Sequence, residues 1–306
     1  MARKRRAGET PRPTSKVTGS QAARTDVTTA PRKAAAGRPP ATVDNPTRPR
    51  DPQYLGSLAG EVALRKFATA ERDRMRRQIY DQVLMTSRSL DGPNFTKVSV
   101  GDLSRMIRLY DDLFFGGKVL KAAEAEGLSF QLSSRMTSVG GKLVTQYPSG
   151  SVDGPRKFEL VLSSTLLFQT FEDVSRSIEV AGCLCRNRLE AMQRVAEHEF
   201  VHLTEMLIWN DGNCNEARFQ SIAGRYFGHT DYQHNLITQR ERAAVKFNIR
   251  VGDNVAFAHD GHNLRGRVNR ITRRATVLVP NPKGQRFSDG HRYVKYYVPL
   301  EALKKC

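Results

Sequence analysis

The stretch Arg188–Trp209 reads RLEAMQRVAEHEFVHLTEMLIW. Its apolar residues recur at helical spacing, so it predicts a long and mostly buried helix that Asp211-Gly212-Asn213 ends. Within it, His198 and His202 are four positions apart. They therefore project from one helix face, about 40° apart around the axis and ~6 Å apart along it. Both imidazoles can reach a single metal ion.

Glu199 follows the first histidine and completes the pattern HExxH. From that position a carboxylate can hold a water bound to zinc and accept its proton, because zinc lowers the pKa of such a water to about 7. A bare HExxH also occurs by chance, as two partly buried histidines beside a surface glutamate. Here the helix is predicted to be buried, and polar side chains in a buried helix need partners. The sequence therefore favours a metal site.

The elements around this helix predict an α+β fold. One or two helices are expected over 54–88 and another over 101–115, which Gly116-Gly117 ends. A further helix is expected after the long one, over 216–227. Three strands are expected between these helices, over 128–133, 141–147 and 158–162.

Several of these stretches together resemble the SprT-like metallopeptidases, which include the Spartan-type proteases that digest proteins crosslinked to DNA. The residues that carry the resemblance lie within about 100–230 and are LYDDLFFGG at 109–117, SSRM at 133–136, Gly140-Gly141, and HEFVH at 198–202. The resemblance implies a zincin-like domain in which His198 and His202 bind zinc and Glu199 is the general base.

The third zinc ligand departs from the family pattern, which places a His-Gly-x-x-aromatic motif some 13 residues after the second histidine. Phe219 matches the aromatic residue, but Asn215 stands where the histidine would be. Cys214, directly before it, is a good zinc ligand as a thiolate and is the favoured third ligand. His229 is an alternative, although it lies a whole helix away. Glu205 is expected to support the second histidine rather than to bind zinc.

The charge of the chain is unevenly distributed. The 306 residues carry 49 Lys+Arg and 31 Asp+Glu, for a net charge of +18. Residues 1–50 hold 12 basic and 3 acidic residues, and residues 249–306 hold 12 and 4, so the middle is nearly neutral. Residues 1–50, with half of the prolines and no aromatic residue, are predicted to be a disordered basic arm. Two basic ends around a neutral centre favour a polyanionic partner, most simply DNA or another nucleic acid.

The C-terminal region is predicted to be a small, closed all-β barrel. Four short runs alternate like strands and are separated by turn residues, at 249–257, 266–271, 274–279 and 292–299. The region loosely resembles KOW or Tudor-like barrels. A cluster of arginines is expected to hold phosphates: Arg265, Arg267, Arg270, Arg273 and Arg274. Nearby in the sequence are three tyrosines, Tyr293, Tyr296 and Tyr297. A solvated barrel face with core tyrosines explains the pattern nearly as well.

The sequence thus predicts a basic arm at 1–50, a SprT-like metallopeptidase domain at 51–248 and a basic barrel at 249–306. The expected function is a zinc-dependent endopeptidase that acts on protein at or on DNA. The alternative is a nucleic-acid-binding protein whose HExxH site is structural or degenerate. No apolar run is long enough for a membrane span and no signal peptide is expected, so a cytoplasmic location on nucleoid or chromatin is predicted. Cys183 and Cys185 are expected to be small buried hydrophobes.

Overall fold

The computed structural model describes residues 51–150 and 154–306. The predicted basic arm at 1–50 lies outside these residues. The described chain is a mixed α+β structure, as predicted. Its helices are α1 Pro52–Leu64, α2 Thr69–Thr86, α3 Val100–Tyr110, α4 Lys118–Glu126, α5 Ser164–Gln169, α6 Arg188–Trp209, α7 Ala217–Phe227 and α8 Gln239–Lys246. Its strands are β1 Leu128–Ser133, β2 Gly141–Gln146, β3 Lys157–Ser163, β4 Ile178–Val180, β5 Cys183–Cys185, β6 Asn254–His259, β7 His262–Ile271, β8 Ala275–Arg286, β9 Arg292–Val298 and β10 Lys304–Lys305.

Helix α6 has the bounds that the sequence predicts, and its ends explain why. The Asn187 side chain caps the first turn by accepting a hydrogen bond from the Glu190 N–H. At the other end Asn210 adopts the left-handed conformation (φ 54°), which turns the chain away from the helix axis. Most of the helix is buried within the larger hydrophobic core. The helix is therefore a fixed scaffold for the histidines that it carries.

A three-stranded sheet packs against α6 and confirms the three strands predicted between the helices. Strand β3 is central, with β1 parallel to it on one side and β2 antiparallel on the other. All but two residues of β3 are buried, as expected for a central strand covered on both faces. Strand β2 is therefore an edge strand, and it contacts α6. This arrangement sets a free strand edge beside the histidines.

The predicted helix over 101–115 ends in an unexpected way. Its last turn, Asp111–Phe115, is π-helical, and both Gly116 and Gly117 have positive φ, at 63° and 76°. Glycine adopts this conformation without the cost that a side chain brings. The tight reversal brings the buried Asp111 carboxylate to the start of α4, where it accepts hydrogen bonds from two N–H groups of the first turn. Such a capped double-glycine turn explains the DDLFFGG pattern structurally.

The prediction of a closed C-terminal barrel is wrong. The five strands form an open sheet in the order β10-β6-β7-β8-β9, and the two outer strands do not pair with each other. Strand β10 has only two residues, too few to complete a barrel with matched tilt and stagger. The apolar face is covered instead by Ala243 of α8 and by Leu300 and Leu303 after β9. Because these residues exclude water, the sheet can bury its core without closing.

The apolar residues form two separate core clusters. The larger contains residues from Leu58 to Ile237 and includes α6 with the three-stranded sheet. The smaller contains residues from Ala243 to Leu303 and lies under the five-stranded sheet. Of the helices that the structure describes, none is both long enough and apolar enough to cross a bilayer.

Candidate metal centre

The histidines of α6 face each other across one turn of the helix. The Nε2 atoms of His198 and His202 are 3.1 Å apart, and the ring centroids are 4.8 Å apart. Two imidazole nitrogens bound to one tetrahedral zinc at ~2.0–2.1 Å lie about 3.3 Å from each other. Both histidines are half-buried. The pair is therefore already spaced for a shared ion.

Cys214, which the sequence favours as the third ligand, lies beside the two histidines. The metal-binding atoms of His198, His202 and Cys214 all lie within 4.8 Å of one another, and this group could hold a metal ion. It is the one such group of three or more side chains among the described residues. The neighbouring Asn215 is exposed, and its side chain hydrogen-bonds to Asn213 instead. The backbone after α6 thus brings a thiol to the site from the position next to the expected histidine.

The two histidine donors have the protonation state that metal binding needs. Burial lowers the pKa of His198 to about 3 and that of His202 to about 4, so both rings are neutral at pH 7. The Gly212 carbonyl accepts a hydrogen bond from His202, whose Nδ1 lies beside that glycine. This contact leaves Nε2 as the free lone pair and fixes the ring, as backbone carbonyls often do for metal-binding histidines. The ring of Phe219 packs against both imidazoles, with centroids 4.8 and 4.5 Å away.

Glu199 lies beside this group and is only 4% exposed. Burial raises the pKa of Glu199 to about 8, and a hydrogen bond from the Leu143 backbone N–H opposes that rise. Strand β2 can approach this closely because residue 141 is glycine. A Cβ at Gly141 would lie 2.6 Å from Cγ and Oε1 of Glu199. The glycine that begins β2 therefore makes room for the carboxylate.

A cavity of about 340 Å³ opens over the metal-binding group. The edge strand β2 forms one wall, through residues that include Lys142 and Thr145, and Met206 with Gly212 forms part of the other. The two histidines, Glu199 and Cys214 all line it. The candidate metal ligands and the candidate general base therefore share one space that is open to solvent.

Arg218 fixes the connection between α6 and α7. No motif in the sequence indicates this role. Its Nε donates to Glu205 (2.8 Å), another nitrogen donates to Asp211 (2.7 Å), and its guanidinium lies 4.8 Å from the ring of Trp209. Glu205 is not part of the metal-binding group, and its bonded oxygen pairs with Arg218 rather than with the second histidine. The arginine holds both ends of the connection that carries Gly212 and Cys214.

His229, the alternative third ligand, is used elsewhere. Its Nε2 lies 2.8 Å from Oε2 of the fully buried Glu197, so it is not part of the metal-binding group. Glu197 also accepts hydrogen bonds from the Arg76 guanidinium (2.7 Å) and the Tyr110 hydroxyl (2.7 Å). The two arginines at this carboxylate, Arg76 and Arg194, hold its pKa well below the usual range against the effect of burial. This cluster of charges joins α2, α3 and the end of α7 to α6.

His234 supports the strand that faces Glu199. Its Nε2 accepts a hydrogen bond from the Gly140 N–H (2.8 Å), just before β2 begins. No sequence motif pointed to this contact, because the two residues are far apart in the chain. The prediction that Cys183 and Cys185 are small buried hydrophobes fits Cys185 fully and Cys183 in part. Cys185 is buried in the core with a pKa raised to about 12 by desolvation, and Cys183 is half-buried.

The arginines predicted to bind nucleic acid lie on one open sheet. Cross-strand pairing places Arg265 opposite Ala256, Arg267 opposite Leu278 and Arg270 opposite Thr276. The next strands extend these rows on the same face, because Lys304 pairs with Ala256, Lys295 pairs with Leu278 and Tyr297 pairs with Thr276. We call this face the basic face, and its exposed basic and aromatic members are Arg265, Arg267, Arg270, Lys295, Lys304 and Tyr297. Arg273 and Arg274 are exposed in the turn that joins β7 to β8. Within the described residues none of these five arginines forms an ion pair.

Comparison with protein-family models, curated proteins and solved structures finds no match to this chain. Any assignment of function therefore depends on the motif and the geometry described above.

Proposed function

We propose that this chain is a zinc-dependent endopeptidase of the SprT-like type, with a zincin-like catalytic domain, that cleaves proteins associated with nucleic acid. The observation that carries the proposal is the convergence of His198, His202 and Cys214 within 4.8 Å, with Glu199 lining the same cavity. Three protein ligands and an open side are typical of catalytic rather than structural zinc sites.

The donor set supports zinc over other ions. Two neutral imidazoles and one thiol are borderline-soft ligands, whereas magnesium and calcium prefer oxygen ligands. Burial and the nearby carboxylates of Glu199 and Glu205 raise the pKa of Cys214, so binding as a thiolate requires the positive charge of the ion and releases a proton. Bound by these residues, zinc would polarise a carbonyl oxygen and lower the pKa of water.

Glu199 is the general base of the proposed reaction. Its carboxylate accepts a proton from the attacking water and returns it to the amine that leaves. Burial alone raises the pKa of Glu199 to about 8, and the positive charge of a bound zinc would lower it again, which favours the ionised carboxylate that the reaction needs. The Leu143 N–H holds one side of the carboxylate in place, and the rest faces the cavity.

The edge of β2 provides a docking strand for the substrate. One side of β2 pairs with β3, and no strand pairs with its other side in the part of the chain that the structure describes. An extended peptide can bind such an edge through backbone hydrogen bonds that are independent of sequence. This mode suits an enzyme that cleaves proteins of varied sequence, and it passes the peptide over the cavity that contains Glu199.

The basic face supports the nucleic-acid part of the proposal. Its arginines and lysines have no acidic partners among the described residues and are free to neutralise phosphates. Tyr297 is 65% exposed and lies in the same row as Arg270, through Thr276. An exposed ring between basic side chains can stack on an unpaired base.

The decisive experiment compares wild type with Glu199→Gln on a protein crosslinked to DNA. Zinc content is first measured by elemental analysis, and about one zinc per chain is expected in both proteins. Wild type should cleave the substrate, and Glu199→Gln should lose activity by orders of magnitude, because an amide cannot accept the proton. Glu71→Gln is the matched control: Glu71 lies on α2, outside the lining of the cavity, and should remain as active as wild type.

The alternative, a nucleic-acid-binding protein with a degenerate site, gives a different result. The basic face needs no metal, so under this alternative DNA binding persists while both wild type and Glu199→Gln remain inert with zinc bound. If Glu199→Gln cleaves as well as wild type, the general base has been assigned to the wrong residue.

A further inference from the structure

A second pocket lies between α2, β5 and the first half of α6. Its volume is about 400 Å³, and the cavity above the metal-binding group has none of its lining residues. Four of its nine lining residues are arginines, namely Arg76, Arg77, Arg186 and Arg194. We call it the arginine pocket. So many guanidinium groups around one cavity create a positive potential that favours an anion.

The inner arginines of the pocket are oriented by a buried carboxylate. Arg76 donates to Glu197 at 2.7 Å and Arg194 donates to it at 3.1 Å. Glu197 is the one acceptor that the described structure gives to Arg194, which leaves most of the five N–H groups of Arg194 available. The side chain of Arg194 is only 15% exposed. A ligand that reached it would therefore form hydrogen bonds largely shielded from water.

The outer arginines are uncommitted. Arg77 and Arg186 are exposed, and neither forms an ion pair within the described residues. The two acids of the lining are already engaged. Asp73 pairs with Arg76 at 3.1 Å, and Glu190 accepts a hydrogen bond from the Arg186 backbone N–H at 2.8 Å. Counting Glu197 behind them, four guanidinium groups meet three carboxylates, so the pocket retains a positive charge.

We propose that the arginine pocket binds the phosphate group of a nucleotide-sized ligand. A phosphate presents oxygens in three directions and can be shared by several arginines, whereas a carboxylate presents its two oxygens in one plane. The volume exceeds that of an inorganic ion and leaves room for a sugar and a base. Tyr80 and the exposed Leu184 supply apolar surface for a base beside the arginines. The phosphate can come from a free nucleotide or from the phosphorylated end of a nucleic-acid strand.

This proposal does not depend on the peptidase assignment. None of the residues that line the pocket belongs to the metal-binding group, and the test requires no catalysis. It also differs from the basic face, which belongs to the other hydrophobic core.

The test measures binding by calorimetry with the full chain in three arms. The probes are inorganic phosphate, ADP, and a short single-stranded DNA with and without a 5′-phosphate. The pocket variant is Arg77→Ala/Arg186→Ala, in which both altered side chains are exposed. The matched control is Arg74→Ala/Arg88→Ala, which removes the same charge from exposed positions on and just after α2 that do not line the pocket.

Wild type should bind ADP or the 5′-phosphorylated strand more tightly than inorganic phosphate. The pocket variant should lose about tenfold or more of that affinity, and the control should lose little, since hydrogen bonds to charged groups are the strong ones. Preference for ADP would identify a free nucleotide, and an affinity gain on adding the 5′-phosphate would identify a strand end. Absence of phosphate-dependent binding in wild type, or an equal loss in both variants, would overturn the proposal.

Discussion

Gly141 lies so close to the Glu199 side chain that no side chain fits at position 141. A Cβ added at Gly141 would lie 2.6 Å from two atoms of the Glu199 side chain, and its three nearest neighbours all belong to that side chain. Ordinary carbon contacts are about 3.5–4.0 Å, so Gly141→Ala must push the carboxylate away by about 1 Å. Residue 141 lies in a β-strand and does not need a positive φ, so alanine brings no backbone strain. The effect of the substitution is therefore concentrated on Glu199.

The expected cost follows from overpacking a buried site. Inserting one methyl group into a well-packed region costs about 1–3 kcal/mol in the free energy of unfolding. For a protein of this size each kcal/mol lowers the melting temperature by about 2–4 °C. If Glu199 is the general base, a displacement of about 1 Å should also lower the cleavage rate by about 100-fold. Zinc content should not change, because the nearest atoms to the new methyl group belong to no metal ligand.

A double-mutant cycle separates this mechanism from general disruption of β2. Denaturant unfolding is measured for wild type, Gly141→Ala, Glu199→Ala and the double variant. With the Glu199 side chain removed, Gly141→Ala should cost less than about 0.5 kcal/mol, which gives a coupling energy of about 0.5–3 kcal/mol. Gly60→Ala is the control, since a Cβ there meets nothing within 4 Å and α1 should be slightly stabilised. An equal cost of Gly141→Ala in both backgrounds would refute the assigned contact.

Three further predictions follow. Cys214→Ala should weaken zinc affinity by at least about 100-fold in chelator competition, whereas Asn215→Ala should not change it. Equal zinc affinities of wild type and Cys214→Ala would mean that another residue is the third ligand. Burial raises the pKa of Asp111 to about 6. The free energy of unfolding of wild type should therefore fall by up to about 3 kcal/mol relative to that of Asp111→Asn as pH rises from about 4 to about 6, and a pH-independent difference would contradict this. Glu197→Gln leaves two largely buried arginines without their shared counterion, so the free energy of unfolding in denaturant should fall by about 3–5 kcal/mol. A fall below about 1 kcal/mol would mean that this carboxylate does not stabilise the fold.

Helical periodicity predicted the elements that bury one clear face. The bounds of α6 match the sequence prediction, because its apolar spacing and its capping residues agree with each other. Short elements were missed. The six-residue α5 and the hairpin of β4 and β5 are too short to show a period, and tertiary packing rather than local preference stabilises them. The open C-terminal sheet was mistaken for a barrel because strand patterns do not show whether the outer strands meet.

The residues of the candidate site also divide into those that the sequence predicts and those that only the structure brings together. His198, Glu199 and His202 share one helix, so their spacing alone places them together. Cys214 could be suggested only from its distance along the chain, since the turn at Asn210 decides which side chain of the connection reaches the histidines. The contacts of Arg218, Gly141 and His234 join residues that no motif links, and only the folded structure brings them together. The sequence thus specifies donors that share an element, suggests a donor on the next connection, and gives no sign of the contacts that packing supplies.

Three consecutive residues of α6 face three different surroundings. Glu197 binds the buried arginines, His198 faces the other metal donors and Glu199 contacts β2. Successive residues of a helix are about 100° apart, so a rotation of α6 that moved one of these side chains would move all three. The ion pairs of Glu197 therefore resist a rotation that would separate His198 from Cys214. On this reasoning Glu197→Gln should weaken zinc binding as well as stability, although Glu197 contributes no ligand atom to the centre.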